Sequence, residues 1–387
     1  MDIPNVALGF LAAANPGAVV VDLNTFPSDP ERLFRFGDYP HDIRFSVQSR
    51  SVSVAQGLLE SCRQTYPQAT VGTVLSPIDV QCCYPFVIIP SYAVQDVRLV
   101  PLAVAPRYST FDSYPMFAEQ WSSGAWPYAV FTSWGCPFAC TYCAARRRAW
   151  HARPIANLMA ELVGKRDHIR AVSIIDDVFN LHRDHVHQVC QVMQDIGLEW
   201  MCTNGLRADL LGEIQAREME RSGCTTVGFG METADDGLLK AIQKGETLAE
   251  IETGIRIARD HFASVSVYII LGLPGSSYDL DRRTVDWCVR QGVYVSASFY
   301  QPPGSESPFY GDHALPAGLC GYNPQVQHST SMEQIELMNF VEGLSWRGRN
   351  VGECLAARVR LTRRYGSRVA GQYLKMDARK VWRWARR

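Results

Sequence analysis

No stretch of this chain stays apolar long enough to cross a bilayer. The nearest approach, Val6–Ala14, has Asp2 rather than a basic segment ahead of it and ends at Asn15-Pro-Gly17, so it fits neither a membrane span nor a secretory leader. A cytoplasmic protein is expected. Net charge is lacking as well: 38 Lys plus Arg oppose 39 Asp plus Glu, leaving −1 overall and no bulk attraction for nucleic acid or anionic membranes. Charged residues at 20% and hydrophobic residues at 47% are ordinary for a globular enzyme, and 387 residues suffice for two domains or one large domain with a small one. Cysteine, by contrast, is plentiful at 12. Most cysteines are scattered singly, as at Cys62, Cys190 and Cys320, and in a chain without a leader they read as reduced, buried thiols.

Three of them are not scattered. Cys136, Cys140 and Cys143 stand at C-x3-C-x2-C spacing in one tight loop, directly after the apolar run Tyr128–Trp134 and Gly135. Thiolates so close together select soft metals. A structural zinc would want a fourth Cys or His, and only His151 is near in sequence. Three ligands suit a 4Fe-4S cluster with one iron left open.

These cysteines, with the aromatic Tyr142 before the last, resemble the signature of the radical S-adenosylmethionine (SAM) superfamily. The resemblance implies that the open iron holds SAM and that one electron cleaves it to methionine and a 5′-deoxyadenosyl radical. Phe138 and Tyr142 would shield that centre with apolar surface.

Strand and helix patterns alternate six times from Tyr128 to about residue 310, with strands expected at Tyr128–Trp134, Arg170–Asp176, Leu198–Thr203, Thr225–Gly230, Ser264–Leu271 and Val293–Tyr300. The resemblance implies the partial (β/α)6 TIM-type barrel of radical SAM enzymes over 128–310, and parallel barrels gather chemistry at the C-terminal strand ends. At those ends lie the residues that match the superfamily's SAM contacts. Asp176 and Asp177 resemble the acidic motif that meets the SAM amino group; the plain alternative is a helix cap. Arg207 suits the methionine carboxylate, or ties Asp176 or Glu232 in place. Glu232, in Gly228-Phe-Gly-Met-Glu232, matches a contact to the amino group or ribose. Gly272, Pro274 and Gly275, in Leu271-Gly-Leu-Pro-Gly275, match the turn that lies flat against adenine. Gln301-Pro-Pro-Gly304 resembles the superfamily's last turn.

Residues 1–100 read as a small Rossmann-like α/β domain, with strands at Val19–Leu23, Ile43–Val47, Val71–Leu75 and Phe86–Ile89 and a helix over Val52–Tyr66. Their order resembles the cobalamin-binding domain of one radical SAM class, shortened and degenerate here, without the Asp-x-His-x-x-Gly loop or the Gly-Gly turn. The cofactors implied are therefore a 4Fe-4S cluster and SAM, with cobalamin open as a third. Residues 101–127 read as a linker and 311–387 as a helical segment with a basic end, 13 Lys or Arg against two acids from Arg347 onward. That end reads as an amphipathic pair with a solvated cationic face covering the barrel's open side.

The resemblance implies a cobalamin-dependent C-methyltransferase tailoring a small natural-product intermediate. The alternative is a cobalamin-independent epimerase, cyclase, dehydratase or rearrangement enzyme. An RNA-modifying role ranks below both, since no appended RNA-binding module or second cluster motif is present. The partners implied are a small-molecule or peptide substrate and an electron donor such as flavodoxin or ferredoxin, with no membrane and no nucleic acid.

Overall fold

In a computed structural model of the chain, residues 127–143, 145–300 and 351–384 are described; elsewhere the description is confined to two strands, β1 (Asp42–Ser46) and β2 (Thr70–Val74), and a few helical positions. These residues fall into two packing units, β1 and β2 in one and the remaining strands in the other. The two strands pair in parallel, Asp42 opposite Thr70 through Ser46 opposite Val74. Each lies one residue ahead of the expected Ile43–Val47 and Val71–Leu75. The other N-terminal expectations, most of the linker and the Gln301 turn lie outside the described residues.

The second unit is built on six parallel strands: β3 (Tyr128–Val130), β6 (Ala171–Ile174), β7 (Glu199–Leu206), β8 (Cys224–Glu232), β9 (Ser264–Leu271) and β10 (Tyr294–Phe299). They are ordered β10-β9-β8-β7-β6-β3, so each lies beside its neighbour in sequence. Helices α1 (Ile155–Lys165), α2 (Arg183–Ile196), α3 (Glu213–Arg221), α4 (Asp236–Ala241), α5 (Leu248–His261) and α6 (Tyr278–Gln291) fill the connections. This is the βα repeat of a parallel barrel, and among the described residues β3 and β10 remain its open edges.

Alternation along each strand decides the faces. On β9, Val265, Val267 and Ile269 are buried, while Ser266, Tyr268 and Ile270 are only half-buried on the other face. Helix α2 lays Val186, Val189, Cys190 and Met193 onto the buried side, each such apolar side chain contributing about 1.5–3 kcal/mol. Local signals set the helix limits: a Thr247/Glu250 capping box opens α5, Ser277 caps α6, and the left-handed Gly197 and Gly292 end α2 and α6.

Two expected strands are corrected. The run Tyr128–Trp134 divides after Val130, because Thr132 and Ser133 turn to the carboxylate of Asp176; Ser133–Trp134 (β4) then pairs antiparallel with His151–Ala152 (β5). The Leu198–Thr203 strand runs on to Leu206 through a register shift after Cys202.

Helices α7 (Val351–Tyr365) and α8 (Ser367–Trp384) follow. Tyr373 is wholly buried, donates to the Val293 carbonyl at 2.6 Å, and lies under Arg358, while Arg364 pairs with Asp286 of α6 at 3.2 Å. Arg360, Arg363, Arg368 and Lys375 are exposed. Among the described residues no helix is long and apolar enough to cross a membrane.

Candidate active site

The cysteine loop leaves the C-terminal end of β3 and is tied down at both ends. At its start, Gly135 adopts φ +92°, and a Cβ there would stand 2.0 Å from the Ala149 carbonyl oxygen. Its N–H donates to Asp177 Oδ2 at 2.9 Å. Within the loop the backbone folds on itself: Arg147 N–H donates to the Phe138 carbonyl at 2.8 Å and Arg148 N–H to the Cys136 carbonyl at 2.9 Å. We expect Gly135→Ala to displace the loop and to bind less than about a tenth of the wild-type iron after reconstitution, because both φ and space forbid a side chain. Wild-type iron content in this variant would contradict that account.

The turn Ile242–Glu246, after α4, clamps the middle of the loop. Thr141 donates through its N–H and its hydroxyl to the Ile242 carbonyl, at 2.9 and 3.2 Å, and Cys140 Sγ lies 3.9 Å from the Lys244 carbonyl. Arg207 stacks its guanidinium 3.7 Å from the Phe138 ring centroid while donating to Asp209 at 2.9 and 3.0 Å and to the Lys244 and Gly245 carbonyls at 2.9 and 3.0 Å. These bonds use Nε and both terminal nitrogens, so Arg207 supports the loop, and it pairs with neither Asp176 nor Glu232. Asp176 is corrected too. It is wholly buried, and its carboxylate accepts from Thr132 N–H at 2.7 Å, Thr132 Oγ1 at 2.5 Å and Ser133 Oγ at 2.6 Å. Burial pushes its pKa up to about 6 against these stabilising bonds. It anchors the strand before the loop, and no face of it is open to a ligand.

Thr132 Oγ1 donates to Asp176, so at 2.9 Å it accepts from His185 Nε2, which fixes that tautomer. His185 is buried between Trp150 and Phe179, and burial lowers its pKa to about 4, with the nearby His182 adding to the effect. The sign follows directly. Its contribution is full above the unfolded value of 6.5 and is lost as pH falls toward 4, about 3 kcal/mol in all. Thermal midpoints measured from pH 7.5 to 4.5 should fall more steeply in the wild type than in His185→Gln; parallel curves would contradict this.

Glu232, Tyr142 and Lys244 meet beside the loop. Glu232 adopts φ +67°, and its Oε1 accepts from Tyr142 Oη at 2.9 Å and Lys244 Nζ at 3.3 Å. Lys244 also reaches Glu246 Oε2 at 3.4 Å. Burial pulls the Lys244 ammonium down, but Glu232 and Glu246 outweigh it and hold its pKa above the ordinary value. Gly230 makes room, since a Cβ there would lie 2.6 Å from Glu232 Oε1. Gly272 N–H donates to Asp281 Oδ2 at 2.9 Å and Ser276 Oγ to Asp281 Oδ1 at 2.6 Å, which binds the turn carrying half-buried Pro274 and exposed Gly275 to α6. Thus Tyr142 and Glu232 come together with the cysteines, and Asp177 touches the loop backbone. Lys244, Glu246, Asp209 and Asp281 went unnoticed in the sequence, where charged residues in turns look solvated.

The donor set fits a multi-iron cluster. All three cysteines are free, and burial raises the thiol pKa of Cys136 and takes that of Cys143 to about 11, so these two stay neutral unless a metal claims them. Ala145 N–H donates to Cys143 Sγ at 3.4 Å, the kind of outer bond that steadies a ligating sulfur. Among the described residues no three Cys, His, Asp or Glu gather closely enough for a single ion, and His151 lies exposed on β5.

Residues 130–288 match the family model described as Radical SAM superfamily, so this part of the chain is a radical SAM domain. An uncharacterized methyltransferase of Pyrococcus horikoshii is 25% identical over 224 residues, 56% of this chain and 47% of that protein. The cytidylyl-2-hydroxyethylphosphonate methyltransferase of Streptomyces wedmorensis is 26% identical over 198 residues, 48% of this chain and 36% of that protein. The matches thus span less than half of these relatives. In fold, the chain is similar to the radical SAM methyltransferase TsrM of Kitasatospora setae with cobalamin and a 4Fe-4S cluster bound (TM-score 0.59, 16% identity, 80% of this chain and 73% of that one). It is also similar to the cobalamin-dependent SAM radical enzyme OxsB with aqua-cobalamin and SAM bound (TM-score 0.56, 13% identity, 78% and 51%).

Proposed function

We propose that this chain, on the strength of its radical SAM domain, is a cobalamin-dependent C-methyltransferase that modifies an unactivated carbon of a small natural-product intermediate. The observation that carries the reading is the cysteine loop at the C-terminal end of β3, joined through Tyr142 and the Ile242–Glu246 turn to Glu232. The methyltransferase names of the sequence relatives and the cobalamin-bound fold neighbours support the finer part.

Cys136, Cys140 and Cys143 would hold a 4Fe-4S cluster, which when bound supplies the electron that cleaves SAM to methionine and a 5′-deoxyadenosyl radical. Everything else falls to the chain's own groups. Glu232 has Oε1 taken by Tyr142 and Lys244, which orients Oε2 as an acceptor for the ammonium or ribose of SAM. The Gly272–Gly275 turn, held by Asp281, presents backbone and Leu273 to the adenine. Asp177 and Arg207 keep the loop in place from either side, and Phe138, pinned under Arg207, helps exclude water. Electrons would come from a small donor such as flavodoxin or ferredoxin.

The test is an anaerobic incubation of reconstituted protein with SAM, dithionite and hydroxocobalamin. A corrinoid retained through gel filtration, with S-adenosylhomocysteine beside 5′-deoxyadenosine, is expected. If 5′-deoxyadenosine forms alone and no corrinoid stays, methyl transfer is wrong and a cobalamin-independent radical rearrangement, epimerisation, cyclisation or dehydration takes its place.

A further inference from the structure

Closed parallel barrels fill their interior with bulky branched side chains. The interior face here carries hydroxyls and glycine beside a single branched side chain, Ile270, among the residues paired below. Residues paired across parallel strands share a face, and the register pairs Gly230 with Tyr268, Tyr268 with Ser296, and Ile270 with Ser298. On the opposite face Val227, Phe229, Val267 and Ile269 have no exposure at all, whereas Ser296 and Ser298 are exposed and Tyr268 and Ile270 half-buried.

One large side chain crosses this space. The Tyr268 ring leans toward the N-terminal ends of the strands, where a Cβ on Gly228 would lie 2.8 Å from its Cε2, and its hydroxyl donates to the Thr203 carbonyl on β7. The ring therefore spans β9, β8 and β7 and closes the space below. Above it the walls are Gly230, Ile270 and Ser298. At the rim over Gly230 stand Glu232 Oε1 and Lys244 Nζ, 2.6 and 3.2 Å from where its Cβ would be, paired with each other at 3.3 Å and tied further to Tyr142 and Glu246.

We propose that Tyr268 is the floor of a substrate chamber whose walls select an uncharged, hydrogen-bonding moiety at the reacting carbon. An ion entering between Gly230, Ile270 and Ser298 would give up its water for one hydroxyl, the rim charges being engaged with each other, Tyr142 and Glu246, while a neutral alcohol, amide or heterocycle keeps a partner in Ser298. The inference rests on the proposed SAM cleavage for its chemistry, although the chamber's selectivity can be read without it.

The probes are isopropanol, isobutyrate and isopropylammonium, one branched skeleton in three charge states, each perdeuterated for the turnover assay. In reconstituted full-length protein with SAM and dithionite, deuterium moves from the probe carbon to the 5′ carbon; the probe radical left behind takes an electron from dithionite and a proton from water. Deuterated 5′-deoxyadenosine is expected from isopropanol at about fivefold or more over either ion. Ser298→Asp should move the preference to isopropylammonium. Equal labelling, a charged favourite in the wild type, or an unchanged preference in Ser298→Asp would overturn the proposal. Saturation-transfer NMR with the unlabelled probes reads binding without turnover: signal for isopropanol, weakened in Ser298→Leu, is expected, and its absence from the wild type overturns the chamber. Total failure to form 5′-deoxyadenosine overturns the proposed function instead and leaves the NMR result to decide the chamber.

Discussion

Cys140→Ala is expected to lose the visible absorbance of an iron–sulfur cluster and every trace of 5′-deoxyadenosine. Cys140 is the buried member of the three, flanked by Thr141, whose N–H and hydroxyl hold the Ile242 carbonyl. With it gone, two half-buried sulfurs remain, too few to retain a cluster with an open iron. The loop's bonds to Ile242 and Asp177 survive the change, so the fold should persist and circular dichroism should stay native. A Cys140→Ala protein that still cleaves SAM would remove the cysteine loop from the centre of the account.

Lys244→Met is the second large effect, and it separates cluster from ligand. Lys244 is buried, with Glu232 and Glu246 at 3.3 and 3.4 Å. Removing one partner of a buried ion pair costs roughly 3–5 kcal/mol, because the other charge stays behind unpaired. For a unit of this size that lowers the thermal midpoint by roughly 10 °C. The backbone carbonyls that hold Arg207 and face Cys140 are unchanged, so iron should still bind. Glu232, freed from one of its two donors, should no longer be held toward SAM, and the change that SAM makes to the electron paramagnetic resonance spectrum of the reduced cluster should vanish. Lys244→Met with Glu232→Gln should recover part of the stability and none of the spectral response. A full SAM response in Lys244→Met would show that Glu232 needs no such support.

Much of this was legible beforehand because it rests on local pattern. Ser264–Val267 alternates small and branched residues and Ile269–Leu271 continues the apolar run, and the strand falls on those residues. Cys136, Cys140 and Cys143 are close in sequence, so no fold was needed to bring them together. The misreadings have a common cause in contacts between residues far apart. Asp176 and Asp177 are neighbours of one chemistry, but the period-two alternation after β6 sends the first inward to Thr132 and Ser133 and the second to Gly135. Nothing local distinguishes them. Likewise, Lys244 and Glu246 sit in a short turn after α4, where charge suggests solvent, yet both are buried, with the cysteine loop meeting the turn at Ile242 and the Ala208 and Asp209 N–H groups meeting Glu246. Arg207 lies at the expected strand end, and its bond to Asp209, two residues on, fills one edge of its fork.

The central claim is that Cys136, Cys140 and Cys143 hold a cluster that SAM can reach. Anaerobic reconstitution with iron and sulfide, with metal and sulfide analysis and a dithionite-reduced incubation with SAM, tests it most directly. About four irons and four sulfides per chain, with 5′-deoxyadenosine formed, are predicted. A single tightly bound zinc, or a complete cluster that leaves SAM intact, would contradict it.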